Sequence, residues 1–133
     1  PLPEEKFPGR GYVPQAMTHG TLNCDNKETS DQFLANVLGL DIIGGGRTST
    51  YISLPSRGPW YVVVLPTPRR DYLGANSRFT LQLAFAEEVA DAHKEFSKTG
   101  KQLGIQELWD LQENSRVSFI LSDINKNYWE ITS

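Results

Sequence analysis

The sequence predicts an α+β fold built from two βαβββ modules, with helices on one face of a mixed sheet. Three observations predict it. The order strand, helix, three strands occurs twice in 133 residues. Two amphipathic helical stretches sit at corresponding places in the halves, and the extended segments alternate between apolar and polar side chains. At this length one domain is expected, large enough to bury a core.

Residues 1–15, "PLPEEKFPGRGYVPQ", hold four of the eight prolines and read as an extended arm. Such an arm can cross to a second copy, so a homodimer is a possible partner state. The first module is expected over 16–66. It opens with the strand "AMTHGTLNCD" and continues with the helix "TSDQFLANVLGL", whose Phe33, Leu34, Val37 and Leu38 fall at helical spacing before Gly39. Three extended segments follow, "DIIGGGRTS", "STYISLPS" and "PWYVVVLP". The three glycines lead into no helix, so a bulge or pocket rim is expected there rather than a phosphate cradle.

"TPRRDYLGANS", residues 67–77, reads as a linker, and the second module is expected over 78–133. Its strand is "RFTLQLAFA" and its helix "EEVADAHKEFSKTG", with acids in the first turn and Gly100 as the stop. "IQELWDLQ", "RVSFILSD" and "NYWEITS" complete the pattern.

The formal net charge of −3 and the lack of a concentrated basic face argue against a nucleic-acid partner. No apolar run has the length of a membrane span, and no membrane partner is expected. The single Cys24 forms no intrachain disulfide, suits a reducing and hence cytoplasmic setting, and is expected in the core.

Alternation assigns faces. Leu22 and Cys24 oppose His19, Thr21 and Asn23; Leu81 and Leu83 oppose Thr80 and Gln82; Trp129 and Ile131 oppose Tyr128, Glu130 and Thr132. The apolar sets suit covering helices. A half-buried Glu130 needs a positive partner. Phe33 lies fourteen residues after His19, and Phe96 fourteen after Gln82, so His19 and Gln82 are expected at matching places in the repeat. With Glu130 they form an acceptable donor set for a divalent cation. Spacing alone does not decide between this and a solvated polar face.

Two stretches, "THGTLNCDNKETSDQFLANVLGLDII" and "FILSDINKNYWEI", resemble the vicinal oxygen chelate superfamily of glyoxalase I, extradiol dioxygenases, fosfomycin-resistance and bleomycin-binding proteins. In the second, Asp123, Asn127, Trp129 and Glu130 fit the family's closing strand-turn-strand, while Ile124 and Lys126 replace its Pro and Gly. The resemblance implies paired βαβββ modules in a cupped mixed sheet with helices on its outer face. It implies one divalent metal ion (Fe, Mn, Zn, Ni or Co) held by His19, Gln82 and Glu130, with Val62 or a neighbour at the fourth position.

The function so implied is a metal-dependent, glyoxalase- or dioxygenase-like enzyme in which the metal chelates oxygens of a small organic substrate. Tyr128 is the candidate donor to a substrate oxygen. Thr21, Tyr51, Trp60 and Trp109 are the candidate pocket residues, with Tyr61 a further aromatic. The residues that accompany iron in ring-cleaving members have no match in "DLQENSRVSFIL". His93, on the second helix, is expected to pack rather than react. The alternative function is a metal-free protein of the bleomycin-resistance type that binds or sequesters a small molecule.

Overall fold

The computed structural model describes residues 14–55, 60–67 and 71–133. Most of the proline-rich arm therefore lies outside the described residues. The first module comprises β1 (His19–Cys24), α1 (Lys27–Asn36), β2 (Asp41–Gly44), β3 (Thr50–Ser53) and β4 (Tyr61–Pro66). The second comprises β5 (Arg78–Gln82), α2 (Ala86–Leu103), β6 (Glu107–Leu108), β7 (Gln112–Glu113), β8 (Val117–Ser122) and β9 (Tyr128–Thr132). The pattern strand, helix, strands is met twice, as expected. "IQELWDLQ" supplies two short strands rather than one, and both pair with β8.

The first sheet runs β1-β4-β3-β2 and the second β5-β9-β8-β6, with β7 also on β8. In each, the opening strand lies parallel to the closing strand and the remaining pairs are antiparallel. The "IIGGG" stretch carries the expected bulge, between Ile42 and Gly44.

Both helices start on local signals. Asn26 caps α1 by accepting from the Thr29 amide at 3.0 Å. Glu88 reaches back to the Phe85 amide at 3.1 Å, placing an acid at the positive end of α2. The sequence places the stop of α2 at Gly100, but the helix continues to Leu103 and ends on Gly104 at φ 104°. Gly100 instead gives room to Ile105, whose side chain lies 3.3 Å from where a Cβ would stand. No helix among the described residues is long and apolar enough to cross a membrane.

One core holds both modules together. Cys24, Ile52, Val62 and Val64 of the first sheet and Phe119, Leu121, Trp129 and Ile131 of the second are buried with Phe33, Leu34 and Val89 of the helices. His93 packs edge-on against Phe119, and its Nε2 donates to the Trp109 carbonyl at 2.9 Å, as a structural residue would. The turn after β8 clamps the modules. Asp123, fully buried, accepts from the Asn125 and Asn127 amides and from Trp129 Nε1, all at 2.8–2.9 Å. Asn125 then bonds to the Asp25 amide and Ser30 Oγ, and Asn127 to the Asn23 carbonyl. The residues that carried the family resemblance therefore stitch one module to the other.

The ladders correct the register of the repeat. His19 pairs with Tyr61, and Arg78 pairs with Tyr128, each as the first rung of a parallel ladder. Arg78, not Gln82, thus matches His19. Counted from the caps, Phe33 is seventh after Asn26, and the seventh after Phe85 is Ala92. Phe96 lies one turn later, on the same face of a longer helix. By the same ladders Glu130 matches Val63, an immediate neighbour of Val62.

Candidate functional site on the open sheet face

The sheet face opposite α2 is arranged in rows, because paired strand residues point the same way. One row holds Arg78, Tyr128, Ser122 and Glu107. The next holds Thr80, Glu130 and Ile120, and the third Gln82, Thr132, Ser118 and Gln112.

Glu130 has its positive partner within the chain. Its Oε1 accepts from Arg78 Nε at 3.0 Å and from Thr80 Oγ1 at 3.2 Å. Arg78 Nη1 donates to the Ala75 carbonyl at 2.9 Å. The two side chains are 29% and 23% exposed, so water screens the pair only in part.

Tyr128 reaches across β8 and donates a close hydrogen bond to Glu107 Oε2. That bond, then burial, then the Glu107 charge push the phenol above the usual tyrosine range. At neutral pH Tyr128 is a hydroxyl already given to an acceptor. Ser122 lies in the same row between them, buried, and its Oγ finds no partner among the described residues. Trp109 meets Tyr128 edge-on, with ring centres 6.3 Å apart.

On the first sheet the matching face is aromatic. The His19 ring stacks on Tyr61 at 5.0 Å with Nδ1 3.0 Å from Thr18 Oγ1, and Tyr61 continues to Tyr51 at 5.4 Å.

Three clefts open beside these groups. The first, where the modules meet, is lined by Thr21, Leu22, Leu73, Ser77, Arg78, Phe79, Asn127 and Tyr128. The second, next to Glu130, includes Trp109, Asp110, Gln112 and Ile120. The third is an apolar hollow between Leu40, Ile52, Val62, Phe79 and Leu81, with Trp60 at its edge. Of the residues expected in the site, Thr21 and Tyr128 share one cleft, whereas Trp109, Trp60 and Tyr51 stand in different places.

The expected donor set does not fit a divalent ion. Arg78 occupies the place matched to His19, and a guanidinium has no lone pair to offer. It also binds the carboxylate that a metal would need. Gln82 pairs with Thr132 and not with Glu130, two residues along the strand, roughly 6.7 Å on. His19 stands on the other sheet, its ring stacked on Tyr61 and its Nδ1 beside Thr18 Oγ1. Among the described residues no three His, Cys, Asp or Glu side chains form a metal-binding group. Sequence reasoning missed Arg78 and Thr80, because no local signal sets the register of β5 against β9.

Paired βαβββ modules with helices on one face of the sheets are a glyoxalase-like fold. Solved structures bear this out. The fosfomycin resistance protein FosX of Listeria monocytogenes superposes with a TM-score of 0.70 at 15% identity, over 90% of this chain and 93% of that one. A possible glyoxalase from Bacillus cereus gives 0.70 at 12%, over 90% and 100%. A mutant of the Listeria protein complexed with Mn(II) and 1S,2S-dihydroxypropylphosphonic acid gives 0.60 at 17%, over 90% of each chain. No protein-family model matches the sequence, and no curated protein does.

Proposed function

We propose that this chain binds a small oxygen-bearing organic molecule in the cleft between its modules, and holds it by side-chain donors without a metal. The carrying observation is the Arg78–Glu130 ion pair at 3.0 Å, which puts a covalently attached cation where a metal ligand was expected. Thr21 and Arg78 supply polar groups to the cleft over the apolar Leu22, Leu73 and Phe79, and the Tyr128 ring lines it. Small-molecule pockets commonly combine an apolar lining with a few polar groups in this way.

The competing reading is the metal-dependent enzyme with His19, Gln82 and Glu130 as ligands, favoured by the Mn(II) complex on the same fold. A thermal-shift screen of small organic acids, ketones and phenols separates them, run with EDTA and again with Mn(II). Binding that persists in EDTA and weakens in Arg78→Met and Thr21→Val supports the metal-free reading. About one Mn(II) per chain, lost in Glu130→Gln and required for ligand binding, establishes the metal-dependent one.

A further inference from the structure

The ligand class of this site follows from how Arg78 is held, on the reading that the cleft is a binding site. Glu130 Oε1 takes Nε–H and the Ala75 carbonyl takes one N–H of Nη1. A guanidinium carries five N–H donors, so three remain, one on Nη1 and two on Nη2. The two anchors fix the plane of the group before any ligand arrives, which lowers the entropy lost on binding. We propose that Arg78 is the recognition group for a carboxylate on a small molecule with an apolar body, bound fork to fork through Nη1 and Nη2 and without a metal.

The surroundings agree with that chemistry. Thr21 and Ser77 hydroxyls line the same cleft, and Leu22, Leu73 and Phe79 give an apolar wall for a ring or short chain. Glu130 already neutralises the guanidinium, so selectivity arises from paired, charge-assisted hydrogen bonds rather than from net positive charge. A neutral isostere can accept only one good bond there.

The test is titration of the full chain, in EDTA, with benzoate and with benzamide, which matches its shape but lacks its charge. Tryptophan fluorescence reports binding, and the Arg78 Nε–H resonance reports its place. Benzoate should bind saturably, about tenfold or more tighter than benzamide, and should shift the Arg78 resonance. Arg78→Met should remove the preference and Arg78→Lys restore only part of it, with circular dichroism and unfolding confirming that both variants are folded.

Equal binding of the two probes overturns the proposal. So does benzoate binding that survives in folded Arg78→Met, an unmoved Arg78 resonance at saturation, or no benzoate binding at all. If other ligands in the screen still bind the cleft and respond to Thr21→Val, only the carboxylate assignment falls. If nothing binds, the binding reading falls with it.

Discussion

Arg78 and Glu130, fifty-two positions apart in sequence, meet at 3.0 Å because β5 lies parallel to β9 and their side chains share a face. Thr80, directly opposite Glu130, donates to the same oxygen. Removing either end of the pair therefore strands the other in a partly desolvated row. Arg78→Ala and Glu130→Ala are each expected to lower unfolding free energy by about 1 kcal/mol, with a coupling of about 0.5–1 kcal/mol in the double variant. Urea unfolding of the four proteins measures it; additive losses would mean the pair is not formed in solution.

Asp123→Ala is expected to be the most damaging single polar substitution. The carboxylate is fully buried and accepts three hydrogen bonds that order the turn clamping the modules. Its loss should cost about 3 kcal/mol or more, because two buried donors and one half-buried amide lose their acceptor. Unfolding in urea measures the loss, and a change under about 1 kcal/mol would contradict the clamp.

Ser122→Ala should go the other way. The hydroxyl is buried without a partner among the described residues, so removing it deletes a desolvated polar group and leaves only a small gap. The expected result is unchanged stability or a gain of up to about 1 kcal/mol, read from the thermal midpoint.

Tyr128 sets a dependence on alkaline pH. Its phenol titrates above the usual tyrosine value because the protonated form donates to Glu107. A raised folded pKa means its contribution is fully present below the unfolded value near 10 and is lost as pH rises through the folded value. Absorbance titration near 295 nm should show one late-ionising tyrosine that disappears in Tyr128→Phe. That variant should also lose less stability than the parent as pH rises above about 10.

Gly104→Ala places a side chain at φ 104°, with Ile124 3.1 Å from the new Cβ. Backbone strain and crowding together should lower stability by about 1–3 kcal/mol, whereas an exposed loop position would change by less than about 0.5. Thermal unfolding separates the two outcomes.

Much of the architecture is legible in the sequence. Alternation assigns Leu22 and Cys24 to the core and His19 and Thr21 to the open face, and it does the same for Trp129 and Ile131 against Tyr128 and Glu130. The acids in the first turn of α2 are local chemistry and are read locally, whereas the Asn26 cap lies three residues before the expected helix start at Thr29 and is missed. The need of Glu130 for a positive partner is also readable, from the energetics of a half-buried carboxylate in a strand.

Which residue meets that need is decided only in the folded chain. Gln82 and Arg78 are four residues apart. A shift of four leaves a strand side chain on the same face, since four is even, and moves a helix by one turn, so its buried stripe stays in place. Neither period can distinguish the two registers. The rung that sets Thr80 opposite Glu130 and brings Arg78 to its carboxylate is a parallel pairing across some fifty residues. That register is fixed by the tertiary packing of β5 and β9, including Phe79 against Trp129, and not by any local pattern.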